Sequence, residues 1–208
     1  MAPKNKFTRN EITAAAVEVV RKKGIEELTA RAIANELGVS TQPIFTCFST
    51  MDEARKAVRG EAENIYYKYT TEGLNMSIPF YGFGMQYIRF AKDEPELYRL
   101  LFLTDGDDAK SGVMEEMQHS MKLAVESVKK IYDMNQREAE RYFRDMWLAV
   151  HSIATLFVTG NSPYSEDEIG TILTGFSVGI CKAIKEIDGF VDGTFDRDEV
   201  FKKLIAKQ

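Results

Sequence analysis

The chain has 208 residues, of which 44% are hydrophobic and 28% are charged, a composition typical of a globular protein with a sizeable core. No apolar run approaches the roughly 18 residues that a membrane span needs, and the basic N-terminus lacks the apolar segment of a signal peptide. The two cysteines, Cys47 and Cys181, lie far apart and favour a reducing compartment over a disulfide framework. We therefore expect a cytoplasmic protein with no membrane partner.

The net charge of −5 conceals an uneven distribution. Residues 1–60 contain ten Lys or Arg and seven Asp or Glu, so they carry a formal charge of +3, which leaves −8 for the rest of the chain. A basic N-terminal segment joined to an acidic remainder is typical of a protein that binds nucleic acid at one end.

The first predicted helix spans residues 10–23. Its apolar residues recur near the helical period of about 3.6 residues. Thr8 and Glu11 have the spacing of a capping box at its start, and Gly24 is placed to end it.

Residues 28–48 predict two short helices joined by a tight turn, at about 29–36 and 40–46. Thr29 and Ser40 are placed to cap these helices, and Gly38 supplies the positive φ that the turn requires. Pro43 falls in the first turn of the second helix, where its missing N–H removes no helical hydrogen bond. The pattern is typical of a helix-turn-helix, whose second helix enters the DNA major groove, although an ordinary helical hairpin shares it.

The remaining chain predicts further helices at about 52–71, from 79, at 93–103, 111–134, 136–159 and 165–188, and a short amphipathic helix at 198–206. We interpret Gly82 and Gly84 as points where another helix approaches closely, because no strand precedes them and no third glycine follows. The helices at 136–159 and 165–188 are too apolar for simple surface helices. The apolar stripes of helices 52–71 and 111–134 are Met51, Ala54, Val58, Ala62, Ile65 and Tyr69, and Val113, Met114, Met117, Met121, Ala124, Val128 and Ile131.

The sequence contains none of the common motifs of catalytic or metal-binding sites. His119 and His151 have no metal-ligand spacing to each other or to a cysteine. No Walker loop, His-Glu-x-x-His or Gly-x-Ser-x-Gly motif occurs. We therefore predict a protein that is not an enzyme and that has no cofactor and no metal site.

Two motifs carry a resemblance to a known family. The first spans about sixty residues and comprises Ile12, Ala15, Ala16, Val20, Gly24, Leu28, Thr29, Ile33, Ala34, Gly38, Val39, Ser40, Ile44, Phe45, Phe48 and Val58. With this spacing the chain resembles the TetR (tetracycline-repressor-like) family of bacterial transcription regulators. The second motif, Phe-Ala-x-x-x-Pro-Glu-Leu-Tyr-x-x-x-Phe at residues 90–102, resembles the C-terminal domain of one TetR subgroup.

The resemblance implies an all-α protein with an N-terminal three-helix helix-turn-helix domain at residues 1–50. Residues 51–208 would form a C-terminal helical domain for ligand binding and dimerisation. The second helix of the helix-turn-helix would contact base edges through Ser40, Thr41, Gln42, Phe45 and Thr46, and Thr29 and Arg31 would contact backbone phosphates.

The chain departs from the family pattern within the second helix of the motif and just after it. The family often has Gly-Thr-Leu-Tyr-x-His-Phe at residues 42–48, where this chain has Gln-Pro-Ile-Phe-Thr-Cys-Phe. A tyrosine hydroxyl is therefore lost at Phe45, a histidine is replaced by Cys47, and a lysine common after this motif is replaced by Met51. These changes affect individual phosphate contacts and leave the fold intact.

The resemblance also implies two sites in the C-terminal domain. The candidates for contact with a small ligand, which are otherwise ordinary core residues, are Phe83, Gln86, Tyr87, Phe90, Tyr98, Met117, Met121, Trp147 and His151. In the family the last two long helices form a four-helix bundle with their copies, and the candidates for this dimer interface are Ile153, Phe157, Ile172, Gly175, Phe176, Gly179 and Ile180.

We therefore expect a homodimer that binds a palindromic operator in double-stranded DNA and is released by an unidentified small apolar or aromatic ligand. One alternative is a regulator of the same fold that acts without an inducer or as an activator. A second is a helical ligand carrier or enzyme whose head no longer binds DNA, and the basic charge of the head argues against it.

Overall fold

The computed structural model describes residues 7–104, 113–160 and 162–205, and these residues form helices and connecting turns with no strand. The all-α prediction is therefore confirmed. The helices in these ranges are α1 (Arg9–Lys23), α2 (Ala30–Leu37), α3 (Gln42–Cys47), α4 (Met51–Leu74), α5 (Pro79–Asp93), α6 (Pro95–Tyr98), α7 (Val113–Tyr132), α8 (Gln136–Val158), α9 (Glu166–Glu186) and α10 (Arg197–Ile205). A 3-10 turn, Ile25–Glu27, precedes α2, and a π-helical turn, Arg99–Leu103, follows α6.

Parts of three predicted segments lie outside these ranges. They are residues 1–6 of the predicted helix-turn-helix domain, the start of the helix predicted at 111–134 and the end of the helix predicted at 198–206. Within the described ranges, no helix is both long enough and apolar enough to cross a membrane.

The local signals of the head form as predicted. The Thr8 hydroxyl accepts a hydrogen bond of 3.2 Å from the Glu11 N–H, and the Glu11 carboxylate accepts one of 2.7 Å from the Thr8 N–H. Thr29 caps α2 by accepting a bond from the Ala32 N–H at 3.1 Å. Gly38 adopts φ +66° and ends α2, which turns the chain into α3.

The prediction that Ser40 caps α3 is wrong. The cap residue is Thr41, whose backbone is already helical and whose side chain makes no capping bond. A capping hydroxyl at Ser40 would bond to the N–H three residues later, and that residue is Pro43, which has none. The helix therefore begins at Gln42.

We call α1–α3 the head and α5–α9 the body. The long helix α4 joins the two, since it packs against both α1 and α5. Its buried side chains are Ala54, Val58, Ala62, Tyr66 and Thr70, at a constant spacing of four residues. Of the predicted stripe, Ala54, Val58 and Ala62 are buried, and Met51, Ile65 and Tyr69 are half-buried and pack against the core. The prediction missed Tyr66, which is fully buried.

The end of α4 and the start of α5 approach each other through two glycines. A Cβ atom built on Gly73 would lie 2.5 Å from the Gly82 carbonyl oxygen and 2.6 Å from the Phe83 nitrogen. Both atoms belong to backbone that cannot rotate away. The interpretation of Gly82 as a point of close helix approach is confirmed, and Gly84 plays a similar part, since its Cβ would lie 3.2 Å from Val150 Cγ2.

The body places α8 against α5, α7 and α9. The predicted apolar stripe of α7 is wrong at Met114 and Ile131, which are exposed. Glu116 and Ser120 are buried instead, because they bond to tyrosines of α4. The Ser120 and Tyr66 hydroxyl oxygens lie 2.8 Å apart, and the Tyr67 hydroxyl donates to the Glu116 carboxylate at 3.2 Å.

The contact between the two glycines predicts a stability difference that urea unfolding can measure. Gly73→Ala should lower the free energy of unfolding by about 1–3 kcal/mol, because the backbone of α5 must move. The matched control is Gly60→Ala, also in α4, where an added Cβ meets nothing within 4 Å. This change should raise the free energy of unfolding by about 0.5–1 kcal/mol. Equal stability of the two variants would contradict the close packing.

Candidate functional site

The predicted DNA-contact residues all lie at the surface of the head. They are Thr29, Arg31, Ser40, Thr41, Gln42, Phe45 and Thr46, and each is exposed. Ile44 and Phe48 point the other way and are at most 1% exposed, which anchors α3 to the core. Phe45 is 52% exposed, an unusual position for a phenyl ring in an otherwise polar face.

Some polar groups of this face already have hydrogen-bond partners within the protein, and others do not. The Thr46 hydroxyl donates to the Gln42 carbonyl at 2.9 Å, and the Thr29 hydroxyl is the α2 cap. Among the described residues the Gln42 side-chain amide has no hydrogen-bond partner. An amide with a free donor and a free acceptor can pair with both polar atoms of an adenine edge.

Arg9 holds the end of α3 in place, and sequence reasoning did not single it out. Its Nη1 donates to the Cys47 carbonyl at 2.9 Å, and its guanidinium carbon lies 4.3 Å from the centre of the Phe48 ring. The last carbonyls of a helix have no partner within the helix, so a cation at this position completes α3. The short helix α3 is thereby tied to α1.

A two-pronged ion pair connects the head to the body. Arg21 at the end of α1 donates from Nε and Nη2 to the two carboxylate oxygens of Glu94, at 2.8 and 2.5 Å. Its Nη1 lies 2.5 Å from a carboxylate oxygen of Glu18. The hydrogen bonds to Glu94 raise the pKa of the Arg21 guanidinium above its usual value. The pair joins α1 to the residue that separates α5 from α6.

A second link runs from α4 to the π-helical turn after α6. Arg59 donates from Nη1 to the Leu100 carbonyl at 2.9 Å and from Nη2 to the Leu101 carbonyl at 3.3 Å. Its Nε lies 3.5 Å from a carboxylate oxygen of Glu63. A movement of this turn would therefore be transmitted to α4.

The predicted ligand-contact residues Phe83, Gln86, Tyr87, Phe90, Tyr98, Met117, Met121, Trp147 and His151 are all buried or half-buried. Five of them, Tyr87, Phe90, Tyr98, Trp147 and His151, form an aromatic cluster between α5, α6 and α8. Trp147 and His151 stack with ring centres 4.8 Å apart, and Tyr87 meets Tyr98 edge to face at 6.0 Å. Met117 and Met121 lie on α7, and Phe83 packs against Phe80 and Phe143.

Polar atoms within the aromatic cluster are only partly paired. His151 Nδ1 lies 2.9 Å from the hydroxyl oxygens of both Tyr87 and Tyr98. Burial lowers the pKa of His151, which favours a neutral ring that accepts these bonds. Gln86 Oε1 and Trp147 Nε1 are buried without a partner among the described residues. Contact of this cluster with a ligand stays a prediction.

An open cleft of about 690 Å³ lies elsewhere, between α5, α8 and α9. It is lined by Ile78, Phe80, Tyr81, Gly84, Tyr132, Tyr142, Met146, Val150, Asp167, Gly170, Thr171, Leu173, Thr174 and Ser177. None of the predicted ligand residues is among them. At one end the Tyr142 and Ser177 oxygens are 2.6 Å apart. No sequence pattern indicated this cleft, because it depends on how the faces of three helices meet.

The predicted dimer residues fall into two groups. Ile172, Gly175, Phe176, Gly179 and Ile180 line one shallow groove on α9, where Phe176 is 50% exposed. A Cβ atom on Gly175 or Gly179 would meet nothing within 4 Å. On α8, Phe157 is half-buried, and Ile153 is buried inside the subunit. Within the described ranges, no three His, Cys, Asp or Glu side chains are grouped to hold a metal ion.

Comparisons with known proteins match two segments of the chain to family models. Residues 12–58 match the model of bacterial regulatory proteins of the tetR family, and residues 80–173 match a tetracyclin repressor-like C-terminal domain. A solved structure of a TetR-family member from Streptomyces coelicolor has a TM-score of 0.55 and 20% identity, covering 84% of this chain and 98% of that one. This structural likeness concerns the fold. No curated protein sequence matches the chain.

The link between Arg21 and Glu94 predicts a measurable coupling energy. In a double-mutant cycle with Arg21→Gln and Glu94→Gln, urea unfolding should give a coupling of about 1 kcal/mol, because the pair is two-pronged and partly screened by solvent. The control cycle pairs Arg21 with Glu18 on the same exposed helix and should give about 0.2–0.5 kcal/mol. A coupling to Glu94 no larger than that to Glu18 would show that the pair does not hold the head to the body.

Proposed function

Because the chain belongs to the TetR family of bacterial regulatory proteins, we propose that it is a repressor that leaves its operator when a small molecule binds its body. The family assignment makes it a DNA-binding transcriptional regulator. Repression, the palindromic operator and release by a ligand are the parts that we propose. The division between a DNA-binding head at 1–50 and a body at 51–208 belongs to the same proposal.

The observation that carries the proposal is the outward face of α3. This helix is anchored to the core by Ile44 and Phe48 and held at its end by Arg9. Its exposed side presents Gln42, whose amide has no partner among the described residues. An anchored helix with a free amide suits base recognition in the major groove, and Thr29 and Arg31 at the start of α2 suit phosphate contacts.

The exposed apolar groove on α9 supports assembly of two copies. Phe176 lies there beside two glycines that leave room for close helix contact. A dimer formed through this face would place two copies of α3 on one DNA duplex. The half-sites of the operator must then lie about 34–36 Å apart, or a multiple of this distance.

Release by a ligand requires that the ligand favour a body geometry that does not fit the operator. Two links would transmit such a change to the head, Arg21 with Glu94 and Arg59 with the carbonyls of Leu100 and Leu101. A shift of the α6 region would move α1 and α4 together. The spacing of the two heads would then change, and the affinity for the operator would fall.

Selection of bound sequences from a random duplex DNA library, with purified protein at near-physiological salt, tests the proposal. We expect a palindrome whose half-sites lie on one face of the duplex. A folded protein that enriches no motif would contradict operator recognition. A motif with a single half-site would contradict the dimeric arrangement.

Replacement of Gln42 tests base recognition by α3. Gln42→Ala should weaken binding to the selected operator by about 1–3 kcal/mol and relax the preference at one base position. Fluorescence anisotropy with the operator and its single-base variants measures both effects.

The control for this change is Arg31→Ala, which removes a phosphate contact. It should weaken binding to all sequences alike and reduce the salt dependence by about one unit of slope. An unchanged base preference in Gln42→Ala would remove this residue from base recognition.

A further inference from the structure

We propose that the cleft between α5, α8 and α9 binds a cationic amphiphile, an amine with an aromatic or aliphatic body, and that Asp167 recognises its charge. The inference rests on the proposed ligand-responsive function and names the class of ligand. It places the ligand outside the buried aromatic cluster, whose residues were the candidates that the sequence suggested.

The size and walls of the cleft suit a small organic molecule. Its volume of about 690 Å³ lies within the range of about 300–1,000 Å³ that is usual for ligand pockets. Met146, Val150 and Leu173 form apolar parts of its wall, and each is buried in the body. Gly84 and Gly170 also line it, and each lies where an added Cβ would crowd another residue of the lining, Val150 or Tyr81.

Aromatic rings surround the cleft and favour a cation. Phe80, Tyr81, Tyr132 and Tyr142 all line it. Tyr142 lies 4.8 Å from Tyr132 and 5.3 Å from Phe80, measured between ring centres. The faces of such rings attract ammonium groups, most strongly where water is partly excluded.

The charge of the lining is entirely negative. Asp167 is its one ionisable acid, and no Lys, Arg or His belongs to the described residues that line the cleft. An anionic ligand would therefore meet a carboxylate and no compensating cation. A neutral hydroxyl can donate a hydrogen bond to Asp167, whereas an ammonium group would add the attraction of opposite charges to that bond and bind more tightly.

Asp167 differs from its two acidic neighbours in the first turn of α9. Glu166 is paired with Lys92 at 2.8 Å. Glu168 accepts bonds from the N–H and hydroxyl of Ser165, at 2.8 and 2.7 Å. Asp167 is exposed at the open side of the cleft, and among the described residues its carboxylate has neither an ion-pair nor a hydrogen-bond partner. All three acids can stabilise the start of α9 through the helix dipole. That role does not require Asp167 in particular to face the cleft.

Tyr81 and Asp167 both line the cleft. A Cβ atom built on Gly170 would lie 2.6 Å from the Tyr81 hydroxyl oxygen. Gly170 follows Asp167 by three residues, so the Tyr81 hydroxyl lies against the first turns of α9, which carry Asp167. An aromatic ring and a carboxylate in one cleft provide both attractions that an ammonium group can use.

The cleft also adjoins the exposed face of α9. Gly170, Thr174 and Ser177 line the cleft, while Ile172 and Phe176 line the neighbouring apolar groove, and Thr171 belongs to both. A ligand that displaces α9 would therefore alter the surface through which we propose that two copies meet.

Methyl NMR on the full chain with carbon-13-labelled methionine tests the proposal. Met146 lines the cleft, whereas Met117 lies outside it among the predicted ligand residues, and Met146→Leu assigns the first signal. The probes are phenylbutylamine, phenylbutanol and phenylpentanoate, which share an aromatic body and differ in charge. We expect the amine to shift the Met146 signal and to bind about tenfold more tightly than the alcohol, with the carboxylate weakest.

The matched variants are Asp167→Asn and Glu166→Gln, each of which removes one acid from the first turn of α9. Only Asp167→Asn should abolish the preference for the amine, and it should leave binding of the alcohol unchanged. Shifts at Met117 without a shift at Met146, equal binding of amine and alcohol, or equal effects of the two variants would each overturn the proposal. The titration uses protein without DNA, so a failure of operator recognition would not affect its result.

Discussion

The burial of α4 along its whole length is the constraint on which the rest of the structure depends. Its buried residues run from Ala54 to Gly73, it packs against both α1 and α5, and Gly73 lies close to the backbone of α5 beside Gly82. Tyr66 is fully buried, and its ring contacts those of Tyr87 and Phe90 on α5. A displacement of α4 would therefore disturb its packing against both α1 and α5.

Two charged links extend this constraint to the rest of the head. The pair between Arg21 and Glu94 fixes α1, and Arg59 fixes α4 to the turn after α6. The body also carries an open cleft and an exposed apolar groove on adjacent faces of α9. In a regulator built in this way, a ligand in the cleft would act on the partner copy through α9. It would act on the DNA-binding head through α4.

The sequence predicted those features that depend on neighbours in the chain. The capping box at Thr8, the turn at Gly38 and the close approach at Gly82 all rest on short-range rules and were correct. The prediction that Ser40 caps α3 was wrong because Pro43 has no N–H to donate to a capping hydroxyl. The cleft was missed because it depends on which faces of α5, α8 and α9 meet, and a single sequence does not contain that information. The contacts proposed for DNA and ligand stay predictions.

The central claim is that the head and the body form one mechanical unit, and hydrogen exchange on the protein with and without its selected operator tests it most directly. Coupling between two sites is reciprocal, so DNA bound at α3 must alter the body if the body is to alter DNA binding. We predict slower amide exchange in α2 and α3 and also in the turn Arg99–Leu103, with the second effect reduced in Glu94→Gln. Changes confined to residues 8–50 would contradict the account.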